Sequence, residues 1–286
     1  MIESRIIADS LAPCGYRLTT FVCTYPRFIH SEVMTHRVFS RNASSSRAIP
    51  VQKMIERILS DPARPVFWGK NKKGMQSDEQ LPPETILEAV AEWDAAMRDA
   101  VRHAQRLLEI GVHKQVANRV VEPYAHMTTI ITATEWENYF GLRAHKDAQP
   151  EFQVLAYSML REYLTHQPRL LRAGEWHLPF SDRYIPAGLT TEQLLKITTA
   201  RCARVSYMNF EGDISFDKDY SLHDDLLNNG HMSPFEHAAR AEAEPVRSGN
   251  FVGYTQYRKL FPCEVRRLSR ADMERLMEEW EAKNAA

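Results

Sequence analysis

Two kinds of hydrophobic pattern alternate along the chain. Residues 16–25, YRLTTFVCTY, are β-branched and aromatic between turn residues, which predicts a strand, and a helix is expected from about Phe28. From Glu84 to Ile110 apolar residues recur every three to four positions and Gly111 follows, which predicts a long amphipathic helix. The chain is therefore expected to combine strands with long helices.

Weaker helical patterns follow, and two stretches lack periodicity. The helical patterns cover about 134–141, 149–165, 192–201, 221–229 and 269–282. The polar, Lys-rich run 68–83 predicts a surface loop, and the Pro- and Gly-rich run 167–188 predicts the longest connection.

Composition narrows the class of protein. The 286 residues carry 36 Lys and Arg against 37 Asp and Glu, a formal net charge of −1, so no nucleic-acid partner is expected. Neither a secretory leader nor a run of about 18 apolar residues is present, so we expect no membrane partner. The four cysteines, Cys14, Cys23, Cys202 and Cys263, have no C-x-x-C spacing, which favours a reducing cytoplasm.

Three polar clusters are candidates for chemistry. Residues 35–47 hold a histidine, three arginines and several serines, which suits either an anion site or a solvated serine-rich loop. Residues 229–237 place Glu236 among two histidines, but the spacing matches no zinc pattern and capping explains it, so no metal is expected. The third cluster, 135–149, holds Asn138 and Arg143 five residues apart, which by itself is typical of a helix end where the dipole favours a basic residue.

One internal echo is visible. Residues 19–37 and 239–259 both read as a strand, a proline, a Phe-containing turn and then a helix with a basic end. Chance and a degenerate repeat explain the echo about equally well.

The clusters together resemble the flavin-dependent thymidylate synthases. The R-H-R-x7-S signature of that family corresponds to residues 35–45, with Thr35 in place of the first arginine. Its A-R-V-S segment appears at 203–206, its G-H-x-[ST]-P-F-E-H segment at 230–237, and its N-x3-L-R-x4-A-Q helix at 138–149.

The order of these segments differs from the family's. The segments 203–206 and 230–237 should precede the signature, so the chain resembles a circularly permuted member, with the join within 167–190. The resemblance implies an α+β fold, a mixed or antiparallel sheet flanked by long helices, in a single catalytic domain over 1–286.

The resemblance also implies roles for individual residues. The implied catalytic residues are Arg143, His36, Arg37, Ser45 and His231. The implied FAD contacts are His36, Arg37, Asn42, Asn138, Ser206, Ser233 and Glu236. The implied contacts to a pyrimidine nucleotide are Ser45, Ser46, Arg47, Arg119 and Arg143. His231 would face the cofactor and the folate pocket.

The implied reaction is C5-methylation of dUMP to dTMP. NADPH would reduce the FAD and methylenetetrahydrofolate would supply the carbon, in a homotetramer with shared active sites. Departures from the family pattern are Glu32, Thr35, Ala43 and Ala48.

Three hypotheses therefore stay open. They are dUMP methylation, methylation or hydroxymethylation of another pyrimidine nucleotide such as UMP or dCMP, and a non-catalytic paralogue that binds flavin and nucleotide. If the echo is a true repeat, Gln256 or Arg258 can replace a lost donor.

Overall fold

The computed structural model describes residues 1–181, 188–206, 215–262, 264–265 and 267–284. The α-helices are α1 (His30–Val33), α2 (Val51–Ser60), α3 (Pro83–Glu109), α4 (Lys114–Ala117), α5 (Glu137–Arg143), α6 (Pro150–Thr165), α7 (Thr191–Ala203), α8 (Phe216–Asn228) and α9 (Arg270–Asn284). The strands are β1 (Glu3–Leu11), β2 (Arg17–Pro26), β3 (Ser40–Ala43), β4 (His126–Ala133), β5 (Arg169–Leu170), β6 (Trp176–His177), β7 (Ala239–Ala241), β8 (Arg247–Ser248), β9 (Phe251–Val252) and β10 (Tyr254–Gln256).

The main sheet has five strands in the order β3-β4-β2-β1-β5. Its long neighbours are antiparallel, and only the short β5 runs parallel to β1, so the sheet is mixed. The fold class expected from the resemblance, a mixed α+β fold with long helices, is confirmed. Strand β3 forms one edge of this sheet.

One face of the sheet packs on α5 and α6. Phe21 and Ile131 are register partners in β2 and β4, and both lie in the core with Trp136 and Phe152. The Phe21 and Trp136 rings meet edge to face with centroids 5.1 Å apart. Truncating a buried aromatic side chain of this kind costs about 3–5 kcal/mol.

The other face is covered by segments from the second half of the chain. Ile7 of β1 and Ile130 of β4 pack against Phe180, Cys202 and Val205. A separate helical layer joins α2 to α3 through a buried cluster in which Ile55, Met97 and Val101 take part. The sheet is therefore covered on both faces. Its edge strand β3 lies between the helices on one face and the second-half segments on the other.

The C-terminal strands form a smaller sheet of order β10-β7-β6 and a hairpin of β8 with β9. Gly253 lies between β9 and β10 with φ +74°, and an added Cβ there would lie 2.6 Å from Cys14 Sγ. The hairpin therefore packs closely on the β1–β2 turn. Helix α9 buries none of its residues, and no described helix is both long and apolar enough to cross a membrane.

Most of the predicted elements are confirmed. The strand over 16–25 is β2, and the helices over 84–110 and 149–165 are α3 and α6. In place of the helix expected from Phe28, the structure has a 3₁₀ turn at Arg27–Ile29 followed by the single helical turn α1. The sequence patterns assigned no element to β1, β4 or α2. The predicted loop 68–83 is almost fully exposed, with a single bridge between Gly69 and Gln80.

Candidate functional site

Arg143 is held at the end of α5, where a cation is favoured by the helix dipole. Its Nε donates to His36 Nε2 at 3.0 Å and its Nη2 to Thr35 Oγ1 at 3.3 Å. The Glu32 carboxylate lies 3.6 Å from Nη1, and the guanidinium stands 4.7 Å over the centre of the Phe152 ring. The structure thus joins Arg143 to the signature segment, 107 residues earlier in the chain.

His36 is buried among aromatic rings. Its ring lies 5.0 Å from that of Tyr139 and 5.5 Å from that of Phe39. Burial, and then the charges of Arg143 and Arg41, lower the pKa of His36 from 6.5 to about 4. At neutral pH the imidazole is therefore uncharged, and its Nε2 lone pair can accept the bond from Arg143.

Beyond β3, the serine-rich loop is organised around one carboxylate. Ser46 donates its hydroxyl to the Glu122 carboxylate. Arg119 lies 3.0 Å and Arg27 3.1 Å from the same carboxylate. Two of the residues implied for nucleotide binding, Ser46 and Arg119, therefore meet through Glu122, which no sequence motif singled out.

Asn118 fixes the backbone of this loop. Its fully buried side-chain amide donates to the carbonyls of Ser46 at 2.7 Å and Ile49 at 2.9 Å. Asn118 was also missed from sequence, because one buried amide leaves no periodic signal. Its position beside Arg119 is the only clue that the sequence offers.

Residues from the second half of the chain form hydrogen bonds to the side chains of β3. Asn42 donates its amide to the Cys202 carbonyl at 3.2 Å, next to the 3₁₀ turn Arg204–Ser206. Gln256 donates to Ser40 Oγ at 3.1 Å. The 3₁₀ turns at Arg204–Ser206 and Ser233–Glu236 also contact β3, so the segments 203–206 and 230–237 lie beside the signature segment in space.

The echo segment also reaches the P-F-E-H motif. Arg258 forms an ion pair with Glu236. The Glu236 charge also opposes the lowering of the Arg41 pKa that burial causes, so both arginines interact with this carboxylate. Gln256 and Arg258, the two residues considered as substitutes for a lost donor, therefore both contact residues of the candidate site.

Other candidates project to the surface. The exposed ones are Arg37, Arg47, Asn138, His231 and Ser233, and Ser45 is half-buried. Ser206 ends the turn at 204–206, and its side chain lies outside the described residues. The structure thus joins Arg143 to His36 and Ser46 to Arg119, while the exposed residues present their polar groups to solvent.

The residues around β3 fit a flavin. Amide, hydroxyl and cationic donors flank this edge strand, and they suit the carbonyls and pyrophosphate of such a cofactor. One buried ring nitrogen, His237 Nε2, has no hydrogen-bond partner among the described residues. Within the same residues, no group of three or more His, Cys, Asp or Glu side chains is placed to hold a metal ion.

The fold and these side chains define a mixed α+β protein with polar groups gathered around one edge of its main sheet. The sequence model of the thymidylate synthase complementing protein family matches residues 15–169, more than half of the chain. The chain therefore belongs to this family. The match ends before the segments 203–206 and 230–237.

The match to an individual relative covers a smaller part of the chain than the family model does. A flavin-dependent thymidylate synthase of Sulfolobus acidocaldarius is 36% identical over 81 residues, which span 28% of this chain and 31% of that protein. The chain thus matches about a third of the length of this curated relative.

Two solved structures of a UMP/dUMP methylase, PolB from Streptomyces cacaoi, are similar in part. The structure with 5-Br UMP has a TM-score of 0.46 at 16% identity, covering 57% of this chain and 88% of that chain. The structure with 5-Br dUMP has a TM-score of 0.44 at 21% identity, covering 51% and 66%.

Proposed function

We propose that this protein is a flavin-dependent methyltransferase that methylates C5 of a pyrimidine nucleotide. Our first choice is dUMP to dTMP, with FAD as cofactor, methylenetetrahydrofolate as carbon donor and NADPH as reductant. Membership of the family supports the reaction class. The observation that carries the proposal is Arg143, bound to the neutral His36 beside β3.

Arg143 has the chemistry that such a reaction needs. Hydride delivery to C6 of the pyrimidine ring builds negative charge on the ring, and a fixed guanidinium stabilises that charge. Phe152 and His36 hold the Arg143 side chain in place, and its exposed fraction is only 22%. The bound flavin would supply the hydride. The part of Arg143 in this proposal is therefore electrostatic, and it needs no proton from His36.

The loop after β3 is proposed to hold the nucleotide. Arg47 is exposed on this loop, and Arg119 is 53% exposed although it pairs with Glu122. Ser45 adds a half-buried hydroxyl, and the Ser46 hydroxyl holds Glu122 beside the loop. Asn118 fixes the loop backbone, so these donors are held in place before a phosphate binds. A forked guanidinium pairs well with phosphate oxygens.

Glu122 supports a second candidate substrate. Its carboxylate lies between Ser46 and Arg119, and a carboxylate is a good acceptor for a ribose hydroxyl. A ribonucleotide such as UMP offers one more such hydroxyl than dUMP. UMP therefore stays as the alternative, with dCMP and hydroxymethyl transfer as further variants of the same chemistry.

We also propose a cytoplasmic homotetramer with shared active sites. The exposed positions of Arg37, Asn138, His231 and Ser233 support this, because a second copy of the chain can complete a site that one copy leaves open. The single catalytic domain with a permutation join within 167–190 belongs to the same proposal. It is supported by the contacts of Asn42 and Ser40 with the second half of the chain.

Flavin binding and label release test the function. Purified protein should bind FAD, bleach with NADPH and release tritium from C5-tritiated dUMP when methylenetetrahydrofolate is present. UMP and dCMP are assayed in parallel. Release from UMP but not from dUMP would replace the first choice by the alternative. Bound flavin without release from any of the three would support a non-catalytic paralogue, and absence of flavin binding would end the proposal.

A further inference from the structure

A row of buried polar side chains crosses the main sheet on the face covered by the second half of the chain. Ser10 of β1, Thr20 of β2 and Thr132 of β4 provide hydroxyls, and Thr20 and Thr132 are register partners 2.8 Å apart at their oxygens. Two imidazoles and one phenol from the covering segments extend the row. They belong to His177, His237 and Tyr254.

The six groups form one continuous chain of hydrogen bonds. Tyr254 Oη lies 3.0 Å from Ser10 Oγ, which lies 2.8 Å from His177 Nδ1. His177 Nε2 lies 2.8 Å from Thr20 Oγ1, and Thr132 Oγ1 lies 2.8 Å from His237 Nδ1. All six residues are almost completely buried. We call this chain the buried relay.

The buried relay can be polarised in two directions, because each hydroxyl donates one proton and each neutral imidazole donates one and accepts one. Burial lowers the pKa of both His177 and His237 to about 3, so both rings are uncharged at neutral pH. In the first direction, towards His237, Tyr254 donates to Ser10, and each group donates to the next one along the chain. His237 Nδ1 then accepts the last of these hydrogen bonds from Thr132. The Nε2–H of His237 is then the last donor.

The opposite direction leaves more groups unsatisfied. His237 Nδ1 would donate to Thr132, and Ser10 would donate to the Tyr254 oxygen. The buried Tyr254 proton would then lose its acceptor, and His237 Nε2 would still have no partner among the described residues. With the bonds running towards His237, His237 Nε2–H is the one relay group without a partner among the described residues, whereas the opposite direction leaves two such groups. Each unsatisfied buried polar group is costly, so the relay runs from Tyr254 to His237.

The position of His237 suggests what its free N–H meets. His237 directly follows Glu236 in the P-F-E-H motif, and its partner Thr132 stands opposite Ser40 of β3 in the sheet register. Asn42 lies on the same side of β3, two residues further on. Two residues expected to contact the flavin, Asn42 and Glu236, thus lie on the elements next to the end of the relay.

We propose that the buried relay fixes His237 as the Nε2–H tautomer and that this N–H donates to an acceptor atom of the bound flavin. The cofactor part rests on the proposed function, whereas the tautomer part does not. Tyr254 and His177 lie outside the matched motifs, so the second half of the chain would act as a positioning element for the cofactor site.

The tautomer is tested on the full chain without ligand. Nitrogen NMR distinguishes a pyridine-type from a pyrrole-type ring nitrogen, and the signals of His237 are assigned by their loss in His237→Gln. We expect Nδ1 to be pyridine-type and Nε2 to be pyrrole-type at neutral pH. A pyrrole-type Nδ1, or an average of the two tautomers, would overturn the direction of the relay.

The cofactor contact is tested by titrating the same sample with FAD. We expect the His237 Nε2–H signal to shift, and Thr132→Val to mix the tautomers and weaken FAD binding roughly fivefold. The matched control is Thr128→Val, a buried threonine on the same strand and face but outside the relay, which should leave FAD binding unchanged.

The two proposals fail in different ways. If FAD binds but the His237 signals do not move, the cofactor contact is wrong and the proposed function survives. In that case the partner of His237 Nε2–H is a bound water and not the flavin. If FAD does not bind to the wild-type chain, the proposed function fails, and the tautomer measured without ligand still decides the direction of the relay.

Discussion

Replacing Arg143 by glutamine should raise the pKa of His36. The guanidinium donates to His36 Nε2 at 3.0 Å, and its charge disfavours a second positive charge on the ring. Glutamine removes the charge and retains an N–H donor, so the change separates electrostatics from hydrogen bonding. We therefore expect the imidazole to become protonated at a higher pH than in the wild type.

The size of the rise follows from the causes of the depressed pKa. The pKa of His36 falls from 6.5 to about 4, and burial is the largest cause, followed by Arg143 and then Arg41. Two unit charges 4 Å apart interact by about 4 kcal/mol at an effective dielectric constant of 20. Glu32 offsets part of the Arg143 charge, and burial remains in the variant. We expect a rise of about 1 in the pKa, equivalent to ~1.4 kcal/mol.

NMR titration of the His36 ring between pH 3 and pH 7 measures this pKa. Arg37→Gln is the control, because it removes a neighbouring but exposed arginine and should leave the titration of His36 unchanged. An unchanged or lowered pKa in Arg143→Gln would refute the contact between Arg143 and His36. A rise to 6.5 or above would show that burial is not the main cause.

Three further predictions concern stability and reactivity. Burial lowers the pKa values of His36, His177 and His237, so the contribution of these rings to the free energy of unfolding is complete above about pH 7. Below pH 6.5 the free energy of unfolding should fall by up to ~1.4 kcal/mol per pH unit for each ring, and constant values down to pH 4.5 in urea titrations would contradict this. Asn118→Ala should cost about 1–3 kcal/mol in the same assay, since two buried carbonyls lose their donor, and a loss below 0.5 kcal/mol would contradict it. Burial raises the pKa of the Cys23 and Cys202 thiols, so native-state alkylation followed by mass spectrometry should label neither, and fast labelling of either would contradict their burial.

Elements with a single clear period were predictable from sequence. Helix α3 presents an apolar stripe over seven turns, and Gly111 follows its end, so both its type and its length could be inferred. Strand β4 was missed because it is buried on both faces, so HMTTIITA shows no alternation. Helix α2 was missed because it is only ten residues long and follows the serine-rich loop.

The candidate site was predictable only where a motif recorded it. Motif resemblance singled out Arg143 and His36 separately, but their hydrogen bond crosses 107 residues and depends on how α5 packs on the sheet. Asn118 and Glu122 act as single side chains without a spacing rule, so only the folded chain reveals them. The buried relay has the same origin, since its hydroxyls and imidazoles come from opposite halves of the chain.

The central claim is that Arg143 supports flavin-dependent methylation at C5 of dUMP, and release of tritium from C5-tritiated dUMP tests it most directly. Wild type and Arg143→Ala are compared as FAD-loaded proteins in the presence of NADPH and methylenetetrahydrofolate. We predict release by the wild type and a loss of at least about a hundredfold in Arg143→Ala, with flavin retained. Arg161→Ala, an exposed arginine on α6, is the control and should keep full activity. Equal release by Arg143→Ala, or no release from dUMP, UMP or dCMP by the flavin-loaded wild type, would contradict the account.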